Sequence, residues 1–382
     1  MGNSNTTLPV GWSTRHGRRV LHRLPLSTLS KHMLVNGCTG WGKSGFLLSL
    51  LLQLLRSHAT GVVLIDMKGG TAEELRLFLS SITKRAPHQL LVIAPFKGQL
   101  VPLNPLAPVP GLDRRVQANI VAGLFETLVE GIGQRMRGIL TNLVRVVMAL
   151  RGSLLDVLRL LTDEAFRLKV AEQLEDEELR HYLTVVFADE PKSSKDSLRA
   201  RLDWLLLLPE VRAMLTAKGC LSGSDIIEAP LAIIDLSGAP LGFAAAARFV
   251  GSWIFQVVCA GIFQRSANSH QVAVCVDEWQ ELVKVGHEDM ERILSLARFK
   301  QCHLMLANQT LAQISSVSAA LTASVLENTA LRVAFRPDSG SIRDLIPLLP
   351  ITGRAVDPIR PDQYLTQAEE RERYLNVTGR PT

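Results

Sequence analysis

One segment of eight residues constrains this chain more than any other. It runs from Gly37 to Ser44, reads Gly-Cys-Thr-Gly-Trp-Gly-Lys-Ser, and has the spacing G-x-x-x-x-G-K-S. Glycines at these positions let backbone N–H groups turn toward phosphates, the lysine reaches the β and γ oxygens, and the serine ligates Mg²⁺. The spacing is not G-x-G-x-x-G, which disfavours a dinucleotide-binding fold. The segment therefore predicts a phosphate-binding loop between a strand and a helix.

The predicted contacts with ATP and Mg²⁺ cover this loop and the residue after it. Lys43 is also expected to act in catalysis, and Ser44 to hold the metal. The predicted nucleotide-binding residues are Gly37, Thr39, Gly40, Trp41, Gly42, Lys43, Ser44 and Gly45.

Short apolar runs and helical segments alternate along most of the chain. Around the loop, strands are predicted at 32–36, 61–66 and 90–94, with a helix at 46–55. Such a succession implies a parallel sheet with right-handed crossovers. Leucine- and arginine-rich helical periodicity then fills 112–218, including 114–129, 136–150 and 197–208. Strand patterns resume at 231–236, 272–276, 303–307 and 331–335.

A second motif supplies the carboxylates that a phosphate-binding loop needs. Five apolar residues, Val272 to Val276, precede Asp277 and Glu278. An aspartate at the end of a buried strand can hold the Mg²⁺ shell, and the following glutamate can deprotonate or orient water. Asp66 is the competing acid, but we expect it on the strand adjacent to the loop strand. Asp277 is therefore the predicted metal ligand and Glu278 the predicted catalytic base.

Two later polar residues are weaker candidates for catalysis. The segment from Leu304 to Gln309 is predicted as a strand that ends in the polar amide of Gln309, which can sense the γ-phosphate; the alternative is a polar strand end that faces a loop. Arg298 ends a helical segment and can reach a neighbouring subunit's nucleotide. The alternative for Arg298 is a solvated helix arginine.

Composition excludes some classes of protein and leaves others open. The 382 residues are 47% hydrophobic, enough for a sizeable core, and 42 basic against 36 acidic residues give a net charge of +6, which favours a polyanionic partner only weakly. No secretory signal is predicted. The apolar stretch 249–263 is shorter than the ~20 residues of a membrane span, so we expect a buried helix and a cytoplasmic protein.

Several motifs together resemble the HerA/FtsK superfamily of hexameric ATPases, and within it the cytoplasmic motor domains of conjugative coupling proteins of type IV secretion. The resemblance runs from about Leu26 to Asp338. Besides the loop and Asp277-Glu278-Trp279-Gln280-Glu281-Leu282, it rests on Ile65-Asp66-Met67-Lys68-Gly69-Gly70, Asn104-Pro105-Leu106, the segment 298–309 and Glu327-Asn328-Thr329-Ala330-Leu331-Arg332.

The resemblance implies a fold, domain boundaries and residue roles. The fold class is α/β: a RecA-like P-loop NTPase with a mainly parallel central sheet flanked by helices, plus an all-α inserted domain. Gln309 becomes the sensor, Arg298 the finger that acts in trans, and Arg332 a second finger candidate. The predicted domains are an N-terminal arm or edge strands (1–30), the nucleotide-binding domain (31–111 and 221–356), the helical insertion (112–220) and a C-terminal arm (357–382).

Three functions fit the motifs. The first is a ring-forming motor, a homohexamer, that translocates DNA through phosphate contacts with little base readout, in conjugation or related mobile-element processing. Its partners would be a secretion channel or relaxase, with peripheral attachment to the membrane through a partner. The second is an ATPase scaffold that assembles with an effector nuclease, for example in phage defence. The third, a kinase or GTPase-like switch, is disfavoured by the long gap between Lys43 and Asp277.

The motor would contact DNA through residues in its central pore. Candidate pore residues are Lys68, Lys97, Arg114 and Arg115.

Overall fold

The computed structural model describes residues 7–15, 18–38, 40–57, 60–82, 90–128, 133–285 and 290–335. The predicted C-terminal arm and the end of the predicted nucleotide-binding domain lie outside the described residues.

Seven parallel strands form the central sheet. Their order is β5-β6-β4-β7-β8-β3-β9, and every strand pair in it is parallel. All seven strands lie within two residues of the predicted boundaries, and the α/β fold class is confirmed. The strands are β3 (Met33–Gly37), β4 (Thr60–Asp66), β5 (Leu90–Ile93), β6 (Leu231–Asp235), β7 (Gln271–Asp277), β8 (Cys302–Asn308) and β9 (Leu331–Phe335).

Alternating side chains of these strands bury both faces of the sheet. Val62 and Leu64 pack on one face with helices α1 (Lys43–Ser57) and α2 (Gly70–Ile82). Val63 and Ile65 pack on the other face, which belongs to a larger hydrophobic cluster. Because side chains alternate along a strand, burial on both sides requires the nearly continuous apolar runs seen in the sequence.

The larger cluster contains the helical block predicted from the sequence and the helices that follow it. Asp113 caps the first helix of the block by accepting from the Arg115 and Val116 N–H groups. The α-helices of the block are α3 (Arg114–Leu124), α4 (Gln134–Ala149), α5 (Leu154–Thr162), α6 (Glu164–Gln173), α7 (Glu177–His181), α8 (Phe187–Asp189), α9 (Lys192–Leu205) and α10 (Pro209–Leu215). The later helices are α11 (Gly223–Glu228), α12 (Ala244–Gln264), α13 (Met290–Phe299), α14 (Leu311–Ser315) and α15 (Ala319–Asn328).

The two ends of the helical block meet at one place. The Asn104 N–H donates to Gly219 O at 3.1 Å, and the Leu221 N–H donates to Pro102 O at 2.8 Å. A β-bridge joins Leu103 to Cys220. The chain therefore leaves the sheet after β5 and returns before β6 through a single closed neck.

Helix α12 is the predicted apolar helix. Among the described residues it alone is long and apolar enough to cross a membrane, and 89% of its most apolar window is buried inside the protein. The predicted buried core helix is confirmed.

The N-terminal segment forms a separate two-stranded antiparallel sheet, β1 (Thr7–Arg15) with β2 (Arg18–Pro25). Leu8 and Leu24 are buried in the same cluster as α1, and Gln53 Nε2 of α1 donates to Pro9 O at 2.9 Å. The hairpin is therefore packed on the helix that follows the phosphate-binding loop.

Candidate functional site

Three aspartates stand in one row at the carboxyl edge of the sheet. Asp66 of β4 is in register with Asp235 of β6 on one side and with Asp277 of β7 on the other. The expectation that Asp66 lies on the strand adjacent to the loop strand was wrong: β7 and β8 separate β4 from β3. Parallel strands bring these carboxylates to one edge of the sheet. The hydrogen-bond and ion-pair partners of each carboxylate determine whether it is available to a ligand.

The phosphate-binding loop leaves the same edge of the sheet at the end of β3. Gly40 and Gly42 have φ values of +83° and +93°, a conformation that residues with a Cβ rarely adopt. Lys43 begins α1, and the Phe46 N–H donates to Gly42 O at 2.9 Å. The glycines thus shape the turn that leads into the N-terminus of α1, and the N-terminus of a helix is a place where an anion can bind.

The remaining predicted loop residues surround that turn. Gly37 ends β3, Trp41 is 36% exposed in the turn, and Ser44 and Gly45 are exposed in the first turn of α1. Thr39 lies outside the described residues.

Lys43 joins the loop to the acidic motif. Its ammonium lies 2.9 Å from Asp277 Oδ1 and 3.1 Å from Glu278 Oε1, and all three side chains are buried. Burial would lower the pKa of Lys43, but the two carboxylates raise it above its usual value. The structure thus brings together the two motifs, which are far apart in the sequence, around one buried cation.

Glu278 accepts hydrogen bonds from four side chains. Besides Lys43, these are Lys68 Nζ at 2.8 Å, Gln280 Nε2 at 2.8 Å and Gln309 Nε2 at 3.1 Å. Burial alone would raise the pKa of Glu278, but these donors lower it to about 2. The carboxylate is therefore ionised and held in one position.

The backbone at Glu278 is in the left-handed conformation, with φ at 56° and ψ at 40°. Its N–H donates to Asp277 Oδ1 at 3.0 Å. A non-glycine residue in this region costs on the order of 1 kcal/mol and is retained where the surroundings enforce it. The turn directs the last carboxylate of β7, Asp277, and the carboxylate that follows it, Glu278, into the same site.

Asp277 and Asp66 differ in their availability to a metal. The Asp66 carboxylate accepts the N–H groups of Lys68, Gly69 and Ala72 and so caps α2. Asp277 has a buried carboxylate whose side-chain partner is Lys43. Burial and the nearby carboxylates raise the pKa of Asp277 despite that lysine. A bound cation would therefore stabilise the ionised form of this carboxyl group.

The residues at this place fit Mg²⁺ by the chemistry of their donors. Asp277 supplies a carboxylate that already holds a cation, and Ser44 supplies an exposed hydroxyl on the neighbouring helix. Hard oxygen donors of this kind suit Mg²⁺, which keeps several water ligands and needs few protein ones.

Of the two weaker candidates, Gln309 is part of the cluster and Arg298 is not. Arg298 is exposed on α13 and lines a cleft with Lys31, His32 and Glu327. His32 immediately precedes β3, whose five residues span about 16 Å. Arg298 therefore lies at the amino-terminal edge of the sheet, opposite the phosphate-binding loop of its own chain.

His32 connects this edge to two other elements. Its Nε2–H donates to Leu294 O of α13 at 2.7 Å, while its Nδ1 accepts from the Leu304 N–H of β8 at 3.0 Å. Burial lowers the pKa of His32, so the ring is neutral and can make both bonds. The helix that carries Arg298 is thereby attached to β8, the strand that Gln309 directly follows.

Other predicted arginines and lysines have defined partners. Arg332 donates to Leu326 O at the end of α15, and Arg114 donates to Leu106 O and Met148 O. Lys97 lies 2.7 Å from Asp235 Oδ2. Arg332 and Arg114 therefore hold backbone carbonyl groups of their own chain. Arg115 is exposed.

Sequence reasoning missed two of the residues that contact Glu278. The sequence predicts Lys68 only as a candidate pore residue, and it predicts no role for Gln280. The position of Lys68 two residues beyond β4, a strand that turned out to neighbour β7, was the available signal. Gln280 carried no comparable signal, because its contact depends on the left-handed turn at Glu278.

Comparison with known proteins supports the resemblance that the motifs suggested. Residues 10–105 match the sequence family described as helicase HerA, central domain (DUF87). A search of curated protein sequences found no match.

Solved structures with the same fold include a conjugative coupling protein and VirB4. The unbound bacterial conjugative coupling protein TrwBΔN70 superposes with a TM-score of 0.58 at 17% identity, over 86% of this chain and 74% of that one. TrwB in complex with ADP and Mg²⁺ gives 0.57 at 17% identity, over 84% and 75%. VirB4 of Thermoanaerobacter pseudethanolicus gives 0.57 at 13% identity, over 92% and 90%. At these identities the likeness establishes the fold.

Proposed function

We propose, from the HerA central-domain match and the fold shared with TrwB and VirB4, that this chain is the subunit of a ring-forming ATPase that moves DNA. The domain boundaries predicted from the sequence are proposed with it: a RecA-like domain interrupted by the helical insertion, with arms at both ends.

The buried cluster supports ATP hydrolysis. The loop N–H groups and the α1 N-terminus bind the phosphates, and Lys43 moves from Asp277 and Glu278 to the β and γ oxygens. Asp277 and Ser44 would hold Mg²⁺, which when bound would supply positive charge to the phosphates. Glu278 takes the proton of the attacking water, and Gln309, bonded to the same carboxylate, senses whether the γ-phosphate is present. TrwB has been solved with ADP and Mg²⁺ and with ADPNP, which supports these ligands.

The position of Arg298 carries the proposal of a ring. The side chain is exposed at the sheet edge opposite its own loop, so it can offset transition-state charge only at a neighbour's nucleotide. Lys31 lines the same cleft and adds a second positive charge. Subunits stacked head to tail would place this cleft on the next subunit's phosphate-binding loop. Heterologous contacts of this kind close into rings, and a homohexamer is the state that the resemblance suggests.

DNA is the proposed partner of the ring. The similarity to a conjugative coupling protein and the net charge of +6 both support it. We propose a cytoplasmic motor that contacts phosphates with little base readout, attached at the membrane only through a secretion-channel, relaxase or effector-nuclease partner.

The test is the steady-state ATPase rate with and without single- and double-stranded DNA at two salt concentrations. The proposal expects DNA to stimulate turnover and added salt to remove the stimulation, because contacts with phosphate release counterions. Lys43→Ala should lose hydrolysis under every condition. A Lys43→Ala protein with the wild-type rate would overturn the site.

A wild-type rate that ignores DNA would overturn the motor. Hydrolysis without a DNA response is the behaviour expected of the scaffold that recruits a nuclease, and the search would then turn to a protein partner.

A further inference from the structure

A cleft opens beside Glu278, and none of the described residues that line it belongs to the loop between β3 and α1. Its volume is about 460 Å³, and its lining includes Lys68, Ser237, Arg248, Glu278 and Gln309. The first residues of α12 also line it, so that the positive end of a long helix faces the cleft. Two cations and a helix N-terminus therefore border the carboxylate of the proposed base.

Lys68 reaches Glu278 from the β4 side of the sheet. Its N–H is fixed by Asp66 Oδ1 at 2.9 Å, so the main chain is anchored at the end of β4. The side chain is 53% exposed and ends 2.8 Å from Glu278 Oε1. In contrast to the buried Lys43, its ammonium can leave the carboxylate and enter solvent at little cost.

The strand order separates the two lysines. β7, which ends directly before Glu278, has β4 on one side and β8, followed by β3, on the other. Phosphates bound at the loop after β3 would draw Lys43 away from Glu278 toward the β3 side. Lys68 is anchored on the other side, so nucleotide binding alone leaves it on the carboxylate.

A carboxylate held by Lys68 is a poor general base. A base needs a free oxygen lone pair toward water. Oε1 of Glu278 accepts from Lys68 and Gln309 as well as Lys43, and Oε2 accepts from Gln280 and Gln309. While the Lys68 ammonium stays 2.8 Å from Oε1, it occupies an oxygen that the base needs for water.

We propose that Lys68 acts as a latch on Glu278. Its ammonium blocks the carboxylate until a phosphate of bound nucleic acid enters the cleft and binds the Lys68 ammonium in place of Glu278. The proposal rests on the proposed function of the same site. Arg248, 4.0 Å from Glu281 and 31% exposed, is the second cation that a phosphodiester backbone meets there. Bound DNA would then be coupled to hydrolysis through one side chain that leaves the base.

The experiment compares Lys68→Met with wild type, with Lys68→Arg and with Lys218→Met, which removes an exposed lysine outside the cleft. ATPase rates are measured without and with DNA of mixed sequence, and DNA binding is measured by fluorescence anisotropy. Without DNA, Lys68→Met should turn over about tenfold faster than wild type, because Oε1 of Glu278 loses a donor and can accept from water. Added DNA should stimulate it little further, although it still binds. Lys68→Arg and Lys218→Met should behave like wild type.

The kinetic constants separate a latch from a merely structural lysine. Without DNA, Lys68→Met should raise kcat and leave the KM for ATP unchanged, because the released oxygen of Glu278 acts on water and not on the nucleotide. A change in KM with an unchanged kcat would overturn the latch.

Three further outcomes overturn the proposal. In the first, Lys68→Met has the basal rate of wild type and is fully stimulated by DNA. In the second, Lys68→Met is slower than wild type both with and without DNA. In the third, inorganic phosphate at matched ionic strength stimulates wild type as much as DNA does. Failure of the proposed function is distinct from these, because it appears in the wild-type protein as a rate that ignores DNA. If wild type ignores DNA but Lys68→Met still has a faster basal rate, Lys68 restrains Glu278, and nucleic acid is not what releases it.

Discussion

Asp66 and Asp277 are paired in register across neighbouring parallel strands, yet one binds backbone N–H groups and the other a lysine ammonium. The first carboxylate completes the start of α2. The second faces the loop that precedes α1. Adjacent acids at one sheet edge therefore have separable functions.

Replacement of each acid by its amide should separate these functions. Asp277→Asn should lower Mg²⁺-dependent hydrolysis at least about a hundredfold without lowering the Tm, because burial and nearby carboxylates already disfavour its charge. Asp66→Asn should cost about 1–3 kcal/mol of stability, since an amide N–H replaces an acceptor of a backbone N–H. Thermal unfolding and ATPase assays check both. A large Tm loss in Asp277→Asn with normal turnover would reverse the assignment.

Glu278→Gln should bind ATP and fail to hydrolyse it, with a turnover reduced by about a hundredfold or more. The amide keeps the shape of the side chain but cannot accept a proton. Nucleotide binding by fluorescence titration, beside the steady-state rate, checks this. Normal turnover would exclude Glu278 as the base.

The same variant should alter the pH dependence of stability. The pKa of Glu278 is lowered from 4.5 to about 2, so its stabilisation is complete above about pH 4.5 and is lost as the pH falls toward 2. The difference corresponds to about 3 kcal/mol. Chemical denaturation from pH 6 downward should therefore show a smaller acid loss of stability for Glu278→Gln than for wild type. Parallel curves would contradict the depressed pKa.

Arg298→Ala should lose hydrolysis while nucleotide binding persists, because the arginine acts on a neighbour's phosphates. A mixture with Glu278→Gln subunits should regain part of the rate, since those subunits supply Arg298 to an intact site. Arg292→Ala on the same helix is the matched control and should keep the wild-type rate. If the mixture stays inactive, the arginine does not act in trans.

His32→Asn should weaken both the fold and the rate. Asparagine tolerates the left-handed backbone of residue 32, whose φ is 56°, but it cannot replace both ring contacts. The loss of two buried hydrogen bonds should cost about 2–3 kcal/mol. Hydrolysis should fall more than nucleotide binding, because α13 and Arg298 lose their attachment to β8. Unfolding, nucleotide-binding and ATPase measurements check this. An equal loss of nucleotide binding and hydrolysis would contradict a specific effect on Arg298.

The strands were predictable because burial on both faces leaves continuous apolar runs, as in β7 and β8. The phosphate-binding loop and Asp277-Glu278 were recognisable because both follow such runs and carry residues with few other uses. Helix boundaries in the block were less accurate: α9 begins at Lys192, five residues before the predicted start, because its first turn is polar and exposed.

The order of strands was not predictable, and the incorrect position of Asp66 followed from that. Sequence proximity suggested that β3 and β4 are neighbours, whereas β8 and β7 are inserted between them. The partners of Lys68 and Gln280 depend on this order and on the turn at Glu278, which no local pattern encodes.

The closed neck between Pro102 and Leu221 also bears on how the chain reaches its structure. β5 ends at Ile93 and its neighbour β6 begins at Leu231, so pairing them in an unfolded chain would require closure of a very long loop. Helices form from local contacts and fold fast. Once the helical block has assembled and its ends have met, β5 and β6 start from nearby points, and the slow search for their alignment is shortened.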